Sequence, residues 1–169
     1  MNTTFDTILQ FRKMLANLDR WMGKAAAYAD QKKFDVNVLV GARLAPDMYP
    51  FNKQIQAACD AAKFCAAYLS GQTAPKHEDN ETTWAELHER VSKVVKYLDG
   101  FKASDFANVE SLQVKPGWAK GQWLPSNEYV QHVSIPNFYF HAMTAYAILR
   151  HNGVDIGKMD YLGEVKMRD

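Results

Sequence analysis

Cysteine is scarce in this chain of 169 residues: Cys59 and Cys65 are its only two. Both fall on one expected helix, where a spacing of six leaves them within about 120° of each other but roughly 9 Å apart along the axis, too far for a disulfide. A disulfide-stapled architecture is therefore excluded. The expected role of both thiols is that of small buried hydrophobes, and the expected compartment is the cytoplasm. A surplus of one charge is missing too. Lys and Arg total 20 and Asp and Glu 19, a net charge of +1, so bulk electrostatics draws neither nucleic acid nor anionic lipid. No apolar run is long enough to span a bilayer, and the opening MNTTFDTILQFRKML lacks the basic-then-apolar order of a signal peptide. Neither nucleic acid nor a membrane is an expected partner. Several common chemical signatures are also absent. There is no glycine-rich phosphate loop, no G-x-S-x-G elbow and no zinc-type cysteine spacing, which argues against nucleotide-driven and serine-hydrolase chemistry. No internal repeat or low-complexity segment interrupts the chain.

What is present is 47% apolar residues, enough for one globular domain over residues 1–169 with a sizeable core. The pattern reads as four helices and one polar excursion. Ile8, Phe11, Leu15, Leu18, Met22 and Ala29 recur at three and four, the seam of a bundle helix from about Thr3 to Ala29. Between Asp30 and Tyr49, the apolar Phe34, Val36, Val38, Leu39 and Val40 predict a loop that packs down. Pro50 suits a first helical position. The second helix then carries Phe51, Ile55, Ala58, Cys59, Ala62, Ala66 and Leu69 to a stop at Ser70-Gly71. The middle of that stripe is small, which lets a neighbouring helix approach closely or leaves room for a ligand.

Asp79 or Asn80 can cap the third helix. Its inner face is Trp84, Leu87, Val91, Val94, Val95 and Leu98, and its expected solvated face is Glu86, Glu89, Arg90, Lys93 and Lys96. From Phe101 to Pro125 the helical period is lost. There LQVKPGWAKGQWL reads as two short extended segments about Pro116-Gly117, with Trp118 and Trp123 laid across a bundle end or edge. Ser126 can cap the last helix. Pro136 is expected to break or kink it, leaving a regular helix from Pro136 to about His151, closed at Asn152-Gly153.

That helix holds the most informative side chain. At about 100° per residue, Asn137, His141, Thr144, Ala145 and Ile148 share one face. An imidazole pointed into a bundle is either hydrogen-bonded packing or a ligand, and the residues leave both open. A metal in a bundle core needs imidazoles or carboxylates converging from different helices. The positions one turn from His141 hold Asn137 and Ala145, so the helix offers no His-x-x-x-His pair. Glu81 and His88, on one edge of the third helix, lie seven residues apart, roughly 10 Å, too far to grip one ion together. Glu81 also suits a helix N-terminus, where a carboxylate favours the macrodipole. Asp60 falls opposite the core stripe, where an exposed pair with Lys63 is expected. His77 is expected to be solvated in its loop. Arg43 and Asp47, inside GARLAPDM, either present charge to a cleft or pair with each other to fix the loop. The last helix is apolar nearly all round, with Phe140, Met143, Tyr146 and Ala147 away from the His141 face. Such a helix is either central in the monomer or covered on its second side by another subunit.

The segments GARLAPDM, QIQAACDAAK (residues 54–63), EDNETTWAEL (78–87), PNFYFH (136–141), AYAILRHNGV (145–154) and GKMDYLG (157–163) carry a resemblance when taken together. In combination the chain resembles, over roughly Phe5 to Gly163, a widespread bacterial family of unknown function grouped with the DinB/YfiT-like metalloenzymes. The resemblance implies an all-α fold: a DinB-like four-helix bundle, often a homodimer, here with the hairpin-like excursion before the last helix. In DinB-like relatives three histidines, one from the second helix and two from the last, hold a divalent metal, which some use for thiol-dependent transfer or hydrolase chemistry. Only His141 matches that pattern, and the second helix here contains no histidine.

Two readings follow. In the first, the protein is a metal-dependent transferase or hydrolase with a degenerate site. His141 is then ligand to Zn, Ni or Fe, or general base; Asn137 orients substrate or water; Glu81 is the first carboxylate. Arg43, Asp60, Trp84 and Tyr139 contact a small-molecule ligand. In the second, it is a non-catalytic small-ligand-binding or stress-associated dimer that has lost the metal. His141 and Asn137 then form a buried hydrogen-bond network, and Trp118, Trp123 and Tyr139 line an apolar pocket or subunit contact.

Overall fold

The three-four spacing of the first thirty residues buries one whole face. In α1 (Thr3–Lys32), Ile8, Phe11, Leu15, Leu18, Met22 and Ala25 are fully buried, each large one contributing about 1.5–3 kcal/mol by leaving water. The computed structural model describes residues 3–165 and Met167. Within it α1 packs with α2 (Phe51–Ser70), α3 (Trp84–Asp99) and α4 (Ile135–His151) as a four-helix bundle, in which α2 lies against both α3 and α4 and α1 against α3. Phe11 of α1 stacks on Phe138 of α4 at 4.2 Å between centroids. The all-α bundle expected from the resemblance is the fold of the chain.

The helix ends have local chemical causes. Pro50 is not the first helical residue but the one before it, extended at φ −68° and ψ 166°. At the other end of α2, Gly71 adopts φ 70°, a left-handed turn that glycine enters without a Cβ penalty. The cap of α3 is Thr83, not Asp79 or Asn80. Its hydroxyl accepts from the Glu86 amide at 3.3 Å, and the Glu86 carboxylate accepts in return from the Thr83 and Thr82 amides at 2.9 and 2.8 Å. These bonds to Thr82 and Thr83 hold the Glu86 carboxyl below its ordinary value. Asp79 is unavailable as a cap because Arg90 holds it.

Pro136, expected to break or kink the last helical segment, does not break it. The chain is helical from Ser126–Glu128, through a π-helical stretch Tyr129–Ser134, into α4. Proline falls in the first turn of α4, and the wider π turn sits directly before it, where the ladder must do without the proline's missing amide. Ser126 supplies no side-chain cap; it is buried, and its amide donates to the Leu112 carbonyl.

The excursion is hairpin-like as expected, though minimal. β1 (Gln113–Val114) pairs antiparallel with β2 (Leu124–Pro125), matching Gln113 to Pro125 and Val114 to Leu124. Trp118 and Trp123 do not seal the bundle: they are 66% and 50% exposed. The buried side chains there are Phe101, Phe106, Val114 and Pro116. The loop after α1 does pack down. Leu39 and Val40 are buried, and Asn37 Oδ1 accepts from the Trp84 amide at 2.8 Å. A short α5 (Lys158–Leu162), which no apolar period announces, docks on α1. There the Trp21 indole donates to the Asp160 carbonyl and the buried Asn17 amide to the Tyr161 carbonyl, both at 2.9 Å. The second side of α4 is open in the monomer, with Phe140 56% and Met143 48% exposed.

Candidate functional site

His141 is half-buried, and its Nδ1 lies 2.7 Å from Gln54 Oε1 on α2. The amide of Gln54 is oriented by a second bond, since its Nε2 donates to the Tyr49 carbonyl at 3.1 Å. An oxygen facing the ring can only accept, so Nδ1 carries the proton and Nε2 is the unprotonated nitrogen of the neutral ring. Burial pushes the imidazole below its ordinary pKa, so the neutral form is the one present near pH 7. Asn137, one turn earlier, is exposed rather than part of a buried network.

The densest polar cluster lies elsewhere. Arg90, expected on the solvated face of α3, is 2% exposed. Its Nη2 donates to Asp60 Oδ1 at 2.6 Å, and its Nη1 to Asp79 Oδ1 at 2.7 Å and Glu81 Oε1 at 3.0 Å. Burial works against the guanidinium charge, yet Asp60 and Asp79 hold its pKa above the ordinary value. Glu81 precedes α3, in the extended segment, rather than lying on its edge. Its second oxygen accepts from Gln56 Nε2 at 2.8 Å. The pair between Asp60 and Lys63 exists at 2.7 Å, but it is not an exposed one: the Lys63 side chain is buried and also reaches His77 Nδ1 at 3.2 Å. An ammonium can only donate, so His77 accepts as a neutral ring. Burial first, then Arg90 and Lys63, push its pKa down. His77 is half-buried, not solvated. Cys59, against this cluster, is pushed up to about 12 by burial, and Cys65 likewise; both are unreactive thiols.

Two open clefts meet at Ala57 and Asp60 on α2. The polar one, about 630 Å³, is bounded by Arg43, Asp47, Tyr49, Lys53 and Asp79. Arg43 donates to the Met48 carbonyl rather than to Asp47, so it fixes the loop through backbone. The second, about 380 Å³, runs between α2 and the π-helical stretch, with Asn137 and Trp118 on its walls. The remaining candidates lie apart. Trp84 is buried, stacked on Phe51 at 5.1 Å, and Tyr139 packs edge-on to Phe11 at 6.1 Å. His88 joins α3 to α1 through Asp19 at 2.6 Å.

Arg90, Gln54 and Lys63 escaped the hydrophobic reading although their spacing marked them. Arg90 sits three after Leu87 and four before Val94, Gln54 three after Phe51 and four before Ala58, and Lys63 four after Cys59 and three before Ala66. Polar residues in core register are the available signal.

The side chains do not fit the divalent metal implied by DinB-like relatives. The polar partner of His141 is the Gln54 amide, and amides are weak ligands for Zn, Ni or Fe. Glu81 and Asp60 are held by Arg90. Among the described residues no three His, Cys, Asp or Glu side chains converge as a metal-binding group.

Comparison with known proteins agrees with this architecture. Residues 5–162 match the family described as "Domain of unknown function (DUF1993)". The chain is 48% identical to a DinB family member protein from Shewanella denitrificans of known crystal structure, with a TM-score of 0.91 over 96% of this chain and 92% of that one. No curated protein matches. The chain belongs to the domain-of-unknown-function family DUF1993, with the helical bundle of a DinB family member.

Proposed function

We propose that this protein is a non-catalytic, small-ligand-binding helical bundle that has lost the metal site of its DinB-like relatives. One observation carries the reading: among the described residues no three His, Cys, Asp or Glu side chains converge, whereas a metal centre would need a second imidazole or a carboxylate beside His141. The clefts that meet at Asp60 supply the place for a ligand. The exposed Phe140 and Met143 on α4 support a homodimer formed through that face. A metal-dependent transferase or hydrolase is the competing reading, and the donor set does not favour it.

Metal analysis of protein purified without a histidine tag tests the proposal. Zn, Ni and Fe are expected well below one per chain, and His141→Ala is expected to lower stability without changing metal content. Stoichiometric metal that disappears in His141→Ala would overturn the reading. Light scattering at micromolar concentration tests the dimer, with Phe140→Ser expected to shift the protein toward monomer.

A further inference from the structure

We propose that residues 72–78 form an acid-opened flap over Lys63: neutral His77 latches the flap to α2, and protonation of His77 releases it. The inference stands apart from the ligand reading above and survives or fails independently of it.

The segment between α2 and α3 has little of its own to hold it. Every one of residues 71–83 is half-buried or exposed, so hydrophobic burial attaches it weakly. Residues 73–81 take no regular structure, and among the described residues they make no backbone–backbone hydrogen bond. A segment of this kind opens locally while the bundle stays folded. Its two ends are fixed. At the start, Gly71 closes α2 and the Gln72 amide donates to the Ala67 carbonyl at 3.0 Å. At the far end, Arg90 holds the Asp79 and Glu81 carboxylates, and Lys53 and Asn52 reach the carbonyls of the same two residues at 3.1 and 3.3 Å. Between those ends, among the described residues, one polar contact ties the segment to the bundle: the Lys63 ammonium donates to His77 Nδ1 at 3.2 Å. Lys76 and Glu78 pair at 2.9 Å, but with each other.

That contact exists in one protonation state. Lys63 carries no acceptor, so Nδ1 must offer its lone pair, and a protonated ring has none to offer. Protonation therefore replaces a hydrogen bond by two like charges in contact. The surrounding carboxylates do not rescue the imidazolium in place. On α2, Asp60 is taken by Lys63 and Arg90. On α3, Glu86 is bound to the Thr82 and Thr83 amides, and Glu89 pairs with Lys93 at 2.8 Å. Within the segment itself, Arg90 holds Asp79, Arg90 and Gln56 hold Glu81, and Lys76 holds Glu78. Burial first, then Arg90 and Lys63, disfavour the charged ring while the flap is closed. In the open flap the ring titrates near its ordinary value of about 6.5. Opening thus takes up at most one proton, and its equilibrium constant rises by up to about tenfold per pH unit below about 6.5. Above that pH the latch holds in full. Release gives the buried Lys63 ammonium to water beside Asp60, where the two clefts meet.

Trypsin cleavage after Lys76 reads the opening, measured on the full chain and normalised at each pH to a free peptide of the same sequence, residues 70–84. From about pH 7.5 to about pH 5.5 the normalised rate is expected to rise about three- to tenfold, with the helical circular dichroism unchanged. His77→Asn keeps an acceptor oxygen near the place of Nδ1 and does not titrate, so its normalised rate should change by less than about twofold over the same range. A flat profile in the parent chain overturns the proposal, and so does an equal rise in His77→Asn. A rise that comes with loss of helical signal also overturns it, because the whole bundle is then opening. NMR titration of the His77 ring isolates the latch itself. Lys63→Met should raise the His77 midpoint toward about 6.5; a midpoint that stays in place or falls would remove Lys63 as its partner and the flap with it.

Discussion

Arg90→Met is the substitution that probes this fold most severely. Methionine keeps most of the side-chain length and fills the space against Leu87 and Val94, so the change removes charge and hydrogen bonds with little loss of volume. Three charge-assisted bonds at 2.6, 2.7 and 3.0 Å disappear together. They differ in weight. Asp79 is 39% exposed and can rehydrate, so it counts for little. Glu81 is 13% and Asp60 26% exposed, and each is left with less: Glu81 with the Gln56 amide, Asp60 with Lys63. Removing one partner of a buried pair typically costs about 3–5 kcal/mol, because the remaining charge stays desolvated. That is a large part of the about 5–15 kcal/mol that holds a domain of this size together, and it corresponds to a fall in Tm of about 6–20 °C. Urea unfolding at pH 7 measures it, with an unchanged m-value as the sign that the native fold persists. Arg90→Met/Glu81→Gln should recover part of the loss, since the second change neutralises the most buried stranded carboxylate. A loss below about 1 kcal/mol would place the cluster among exposed ion pairs and refute the claim that it pins the segment before α3 to α2.

Two further perturbations probe other parts of the molecule. The native pKa values of His141 and His77 lie below the ordinary value of about 6.5 that the unfolded chain retains. Above that pH neither state binds these protons; below it the unfolded chain takes them up first. Stability should therefore fall as the pH drops from about 7 towards 5 and recover on return. His141→Asn should flatten that slope by no more than one proton, and a slope identical in the variant would refute the burial of the ring. Gly153 has φ 90°, and a Cβ there would lie 2.6 Å from the Tyr28 hydroxyl. Gly153→Ala should cost about 1–3 kcal/mol in urea unfolding. Adding Tyr28→Phe should relieve the contact but not the backbone strain, so full rescue would contradict the assignment of the cost to φ.

Hydrophobic spacing made the bundle legible because four long segments each bury one stripe, and a three-four recurrence of Leu, Ile, Phe and Ala arises from little else than a helix with one face in a core. The same measure was blind where burial and hydrophobicity part company. Arg90, Lys63 and Gln54 occupy core register, yet their polarity assigned them to the surface; what buries them is a set of partners drawn from a segment about ten residues upstream of Arg90 and from the loop at Tyr49. Asp79 shows the same conflict from the other side. It had the chemistry of a helix cap, and Thr83 took that place because Arg90 had the stronger claim on the carboxylate. α5 is too short for an apolar period to report: it docks through Tyr161, stacked on Trp21 at 5.4 Å, and through two side chains of α1 that reach its backbone carbonyls.

The candidate site follows the same rule. His141 drew notice because imidazole is a common ligand, and its hydrogen-bond partner is an amide 87 residues away in sequence. A glutamine in core register on one helix and a histidine in core register on another are each ambiguous alone. Paired, they satisfy one another's hydrogen bond, and the ring's protonation state follows from that contact. In a chain with nearly equal numbers of acids and bases, side chains of this kind report which helix faces meet.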